Sequence, residues 1–171
     1  MFRLMWLFLL CFLFLCLELG LAQYDILFPA ALFTAFYLGL AFGLGTGVVC
    51  GLVVAVVAEI LLARSTTILP LFAPFWVFLL VFGRFGDRLS LVNQALAGLG
   101  LAWGQAGYYL LFENLHLGAG WCLLSGPHVV TLFLKAGIAG TVLAPLLIAG
   151  LDFLAERVEV ELFAYGTGGT A

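Results

Sequence analysis

The side chains able to do chemistry in this chain are few and widely spaced. Ser125 lies between His116 and His128, twelve residues apart, and this is the nearest approach to a nucleophile with a base. A Ser–His pair also needs a third group to orient the imidazole and a sharp turn to present the hydroxyl, and neither is visible. Two histidines at that spacing do not make a metal site. The glycine-rich Gly43-Leu44-Gly45-Thr46-Gly47 lacks the lysine of a phosphate-binding loop. Cys11, Cys16, Cys50 and Cys122 show no CxxC spacing and sit in or beside apolar runs, so they read as small buried hydrophobes. The expectation is therefore a non-enzymatic protein with no metal and no cofactor. Two patterns remain. One is a set of charges placed in or beside apolar runs: Glu18, Asp25, Glu59, Arg64 and Lys135. The other is a ladder of small residues at four-residue spacing.

Both patterns must be positioned by helices in lipid. The chain has 171 residues, 65% hydrophobic and 9% charged, with a mean hydropathy of +1.26. Soluble domains carry about 25% charged residues, and no soluble fold hides this much apolar surface. A net charge of −3 excludes nucleic-acid binding through a basic patch. One crossing needs about 20 apolar residues. From Asp25 to Glu59 the chain is almost unbroken hydrocarbon, too long for one span and right for two, with its break at Gly43-Leu44-Gly45. The expected fold is an all-α polytopic membrane protein with six transmembrane helices: Leu4–Leu21, Ile26–Phe42, Thr46–Ala63, Leu69–Phe82, Leu91–Phe112 and Val129–Phe153. Pro145 marks a kink in the last. Residues 1–157 form a single domain, and 158–171 a flexible cytoplasmic tail. Met1-Phe2-Arg3, the apolar core and Gly20-Leu21-Ala22 also resemble a signal peptide with a cleavage site. The length of the core and Glu18 within it favour a retained helix.

Positive charge sets orientation. With six spans both termini share a side, which holds Arg3, Arg84, Arg88 and Arg157. The other side holds Arg64 in a loop and Lys135 within the sixth span. Both termini are expected in the cytoplasm. Glu18, Asp25, Glu59, Arg64 and Lys135 then all fall toward the outer side. Lys135 lies about 10 Å inside its helix end at 1.5 Å per residue. A lone charge there costs about 2.5–3.5 kcal/mol on insertion scales. Three readings stay open: an ion pair with Glu59 or Glu18, snorkelling to the headgroups, and a proton or substrate pathway.

The small-residue ladder is Gly43, Gly47, Gly51 and Ala55 on the third helix. Similar ridges are Gly100 and Gly104 on the fifth, and Ala136, Gly140 and Ala144 on the sixth. Such ridges let helix backbones approach closely in lipid, either within the molecule or against a partner's helix. Gln94 and Gln105 are expected to bond across helices, and Tyr108 and Tyr109 to lie at the outer interface.

The hairpin resembles that of the bacterial rod shape-determining MreD family, small polytopic proteins of about this size. Asp25 matches the acidic residue that opens the family's second apolar stretch. Gly43, Gly47 and Gly51 match its glycines, and Glu59 its closing acid. Asn93-Gln94-Ala95-Leu96 and Gly140-Thr141-Val142-Leu143-Ala144-Pro145-Leu146-Leu147 look like the fifth and last helices. Tyr24 stands where many members have Pro, and Gly137 or Gly140 where many have Asn. The resemblance implies a scaffold subunit of the cell-elongation, peptidoglycan-synthesising machinery in the bacterial inner membrane. Its implied partners are an MreC-like protein, the actin-like MreB, and the RodA–transpeptidase pair. It also implies a fold similar to the substrate-binding subunits of energy-coupling-factor transporters. A vitamin or small-solute transporter subunit is therefore the alternative, although the Ala-xxx-Ala docking motif typical of its first helix is missing here.

Overall fold

The computed structural model describes residues 2–63, 67–117 and 126–158. Arg64, Trp121, Cys122, Ser125 and the tail beyond Val158 lie outside the described residues. Among the described residues the chain is all helical: α1 (Phe2–Ala22), α2 (Ala30–Phe42), α3 (Leu44–Leu61), a 3₁₀ turn (Leu69–Leu71), α4 (Phe72–Phe85), α5 (Leu91–Leu117) and α6 (Pro127–Arg157).

Six spans were expected, the fourth of them short, and among the described residues three helices are long and apolar enough to cross a membrane: Leu4–Ala22, Leu44–Leu61 and Val129–Arg157. The physical reasons differ by helix. α2 starts only at Ala30, because the residue before a proline is pushed out of the α region, and Ile26–Pro29 is irregular instead, with Pro29 at φ −82 and ψ 58 in a tight turn where the Ala30 N–H donates to the Phe28 carbonyl. Its 13 residues rise about 20 Å, short of the roughly 30 Å of hydrocarbon. Helix α4 has 14 residues and is preceded by a separate 3₁₀ turn that takes Pro70. Pro74 falls in the first turn of α4, where a missing N–H costs nothing. Helix α5 has 27 residues, but its polar groups lower its hydropathy.

Helix α2 is the centre. Every one of its residues is buried, as expected of a helix that is apolar all round. Helices α1, α3 and α4 pack on it. Trp6, Leu10, Phe14 and Glu18 form one buried stripe of α1, four residues apart, and Phe14 meets Phe33 edge-on at 5.3 Å. From α4, Phe82 packs on Phe36 at 4.9 Å. Helices α5 and α6 form a second hairpin. Ala97 and Leu101 of α5, and Ala144, Ile148, Leu151 and Ala155 of α6, join it to the central core. A smaller cluster of Ala102, Ala106 and Ala136, with Leu27 against it, fills the other end. The outward faces stay apolar, as with Val49, Val53, Val56 and Ile60 on α3. Such a surface fits hydrocarbon rather than water. Helix α6 continues past Pro145, which lies in its interior.

Candidate functional site

Three groups of residues hold the bundle together, and each is built by the turns and helix faces just described. The first is the hairpin seam. A single residue, Gly43, separates α2 from α3, with φ 103 and ψ 149, a region open essentially to glycine alone. Gly43 is thus the hinge and not part of the ridge. A Cβ on Gly47 would strike the backbone of Gly39 and lie 2.5 Å from the Ala35 carbonyl oxygen. One on Gly51 would lie 2.6 Å from the Ala35 Cβ. Ala55 and Ala58 continue the buried ridge. In lipid, helices associate by close van der Waals contact rather than by hydrophobic exclusion, so this approach of two backbones is the main cohesive feature of the hairpin.

The α5–α6 seam differs from expectation. Gly100 and Gly104 are exposed, and an added Cβ meets only Phe78, at 4.0 Å from Gly100, and nothing near Gly104. They line an apolar cleft of about 190 Å³ with Leu32, Phe75, Phe78 and Leu101. The contact face of α5 is instead Gly98, Ala102 and Ala106. Gly98 and Gly140 press on each other's backbone, and a Cβ on Gly140 would lie 2.7 Å from that of Ala102. Both faces repeat every four residues, so spacing alone does not choose between them. Ala136, Gly140 and Ala144 are all buried on the α6 side.

The second group lies at the end carrying Asp25 and Glu59. Asp25 occupies the turn after α1 with φ 55, a left-handed conformation that Asp and Asn tolerate better than most residues. One oxygen of Glu59 accepts hydrogen bonds from the Ile68 backbone N–H and from the Thr67 hydroxyl. It thereby caps the start of the 3₁₀ turn that leads into α4. The Tyr108 hydroxyl donates to the Thr67 carbonyl at 2.7 Å, tying α5 to the same loop. Lys135 is exposed, and its Nζ lies 3.5 Å from the Tyr24 carbonyl. It forms no ion pair among the described residues, and Glu59 is engaged by the α3–α4 loop, so of the readings left open the pairing with Glu59 or Glu18 is not the one the molecule adopts. Glu18 is buried. The antiparallel register, fixed by Phe14 on Phe33, sets Glu18 level with Pro29 and Ala30 at the start of α2, where the helix dipole favours a carboxylate.

The third group was not foreseen. It lies at the opposite end, where the Gly43 hinge, the α4–α5 loop and the end of α6 meet. The Tyr37 hydroxyl donates to Asp152 Oδ1 at 2.9 Å, joining α2 to α6. One turn on, Arg88 Nη1 donates to the Leu40 carbonyl at 3.0 Å. Gln94 Nε2 donates to the Arg88 carbonyl at 2.7 Å. A cation is favoured at a helix C-terminus, and burial pulls the Arg88 guanidinium below its usual value without discharging it. Arg84 and Arg157 occupy this same end, each near a phenyl ring. The partners are 115 and 48 positions apart in sequence. The only sequence signal was polar groups flanking apolar runs.

The Cys11 and Cys50 thiols face each other between α1 and α3, and both are free. Among the described residues no group of three His, Cys, Asp or Glu is placed to hold a metal ion. These side chains cap helix ends and fasten helices together. Compared with known proteins, the chain matches no family model, no curated protein and no solved structure.

Proposed function

We propose that this chain is a multi-pass subunit of the bacterial inner membrane, scaffolding the cell-elongation machinery as MreD-family proteins do. The observation that supports the reading is the position of the hairpin from Asp25 to Glu59. Its residues carry the resemblance, and they also make the enclosed centre of the fold: the wholly buried α2, the Gly43 hinge and the Gly47–Gly51 seam. On this reading α2, with its irregular lead Ile26–Pro29, and α4, with its 3₁₀ turn, complete six passes. Irregular backbone at membrane depth is tolerated where protein buries it, and Phe28 and Pro29 are buried. The end bearing Arg84, Arg88 and Arg157 faces the cytoplasm, with both termini. An MreC-like protein is the first partner, leading to MreB and the RodA–transpeptidase pair. Depleting the protein in its native cell is expected to turn rods round, and an MreC-like protein to co-purify with it. Unchanged cell width in a strictly dependent strain would sink the reading.

The alternative, a small-solute transporter subunit, has one observation in its favour, the cleft between α4 and α5. A vitamin retained through purification, identified by mass spectrometry, would decide for it.

A further inference from the structure

The bundle brings two thiols together at a depth that ionic chemistry reaches poorly. Cys11 comes from α1 and Cys50 from α3. Their side chains are hydrogen-bonded to each other, and both are free thiols. Each is half-buried. On one side they pack against the central core, in company with Leu7, Val48 and Leu52. On the other they are flanked by Phe8 and Val53, whose side chains are exposed and meet hydrocarbon.

Their depth follows from the topology. Helix α1 runs antiparallel to α2, and α3 returns from Gly43, so α1 and α3 run the same way. Cys11 is nine residues into α1, about 14 Å along its axis. Cys50 is six residues into α3, about 9 Å along. Both lie well inside the roughly 30 Å of hydrocarbon. Thiol–disulfide exchange in water proceeds through the thiolate, and an anion is costly at this depth. Glutathione is charged and stays in water. An oxidation that moves only neutral hydrogen meets neither obstacle, and quinones are two-electron oxidants that dissolve in hydrocarbon.

We propose that Cys11 and Cys50 form a redox dithiol that a lipid-dissolved quinone oxidises to a disulfide, fastening α1 to α3. The two S–H bonds break and one S–S bond forms. Both hydrogens, with their electrons, pass to the quinone, which leaves as the quinol. No charge is left in the membrane. An S–S bond is about 2.0 Å long, so the helices must close in from hydrogen-bond distance. Helix α1 packs by the stripe of Trp6, Leu10, Phe14 and Glu18, and a small shift along that stripe brings the sulfurs together. Because soluble thiols do not enter hydrocarbon, the closed clasp outlasts changes in the soluble thiol pool. Cys16, exposed on α1, lies on the lipid side of the helix and serves as the control.

The test uses the full chain in phospholipid nanodiscs. Decylubiquinone is the oxidant in the lipid and oxidised glutathione the oxidant in water. With the quinone, the intact chain is expected to lose two hydrogens in mass, and a peptide linking Cys11 to Cys50 to appear on digestion. The melting temperature should rise, as for a cross-link that closes a long loop. Oxidised glutathione is expected to leave this pair reduced. Cys16→Ser and Cys122→Ser keep the mass loss, while Cys11→Ser and Cys50→Ser each abolish it. A wild-type chain that keeps its mass under the quinone would overturn the proposal, as would a mass loss that survives Cys11→Ser. So would closure by oxidised glutathione at the same rate, since the pair would then be open to water. A gain of one quinone mass on either thiol also counts against it, because that is addition and not oxidation.

Discussion

Gly47 and Gly104 are both helical glycines with another glycine four residues away, and they stand in opposite surroundings. Gly47 abuts the backbone of Gly39, while Gly104 has open space around its Cα. Gly47→Ala must therefore push α3 off α2. Overpacking of this kind costs about 1–3 kcal/mol, and rigid backbone on the far side puts the expected loss at the upper end. Gly104→Ala is expected to be neutral or slightly stabilising, since glycine in a helix interior is unfavourable by roughly 0.5–1 kcal/mol relative to alanine. Unfolding midpoints of the two variants in mixed micelles check this, and equal losses would refute the seam. Glu59 gives a second contrast. Glu59→Ala removes the acceptor from the Ile68 N–H and the Thr67 hydroxyl, at an expected cost of about 1–2 kcal/mol, as for a lost cap. Glu59→Gln keeps a carbonyl acceptor and should lose less than half of that. Had Glu59 been the counter-ion of Lys135, Glu59→Gln would be nearly as harmful as Glu59→Ala.

Between helices, the one-residue link at Gly43 fixes how α2 and α3 enter their seam. Its ψ of 149 with φ 103 admits no ordinary side chain, and Gly43→Ala is expected to cost about 1–3 kcal/mol in stored strain. Gly45, two residues later and open to solvent or lipid, serves as the neutral control in the same assay. The contact of α1 with α3 is testable through the native thiols. A short bis-thiosulfonate reagent should join Cys11 to Cys50 within one chain, visible as a single added mass, and replacing either cysteine by serine should abolish it. The product would also require α1 to remain attached in the mature protein. The apolar runs made the helices themselves legible, because lipid demands the same long hydrophobic stretches whatever the packing. The start of helix α2 was not legible from hydropathy, which is as high over Ile26–Pro29 as in the helix, while Pro29 at φ −82 and ψ 58 holds the backbone out of the helix until Ala30. Which face of α5 meets α6 was not legible, because Gly98-Ala102-Ala106 and Gly100-Gly104 share a period, and only the register against α6 distinguishes them.

For the whole molecule, the two polar ends have different jobs, and only one was readable in advance. The charges at the Asp25–Glu59 end were visible in sequence as interruptions of long apolar runs. Their partners were not, because Glu59 serves a loop and Lys135 a backbone carbonyl. At the opposite end, Tyr37 with Asp152 and Arg88 with the Leu40 carbonyl join three separate elements around the closed end of the first hairpin. Asp152 had been placed near the end of the sixth span with no partner assigned to it. Since these two contacts reach α2 from α6 and from the α4–α5 loop, they anchor the second hairpin to the first at this end. Here Ala97, Leu101, Ile148 and Leu151 also join the main core. At the other end the small alanine cluster connects them, with the hydrogen bonds from Tyr108 to the Thr67 carbonyl and from Lys135 to the Tyr24 carbonyl. Tyr37→Phe removes the hydroxyl bond to Asp152 while keeping the ring, and should cost about 1 kcal/mol, the usual net value of such a bond. Loss of the bond should loosen α6 specifically. Amide exchange from Ile148 to Arg157 is expected to quicken, with the Gly47–Gly51 stretch of α3 unchanged. A uniform increase across both hairpins would mean that the bundle melts as one unit and that Tyr37 is not a local anchor.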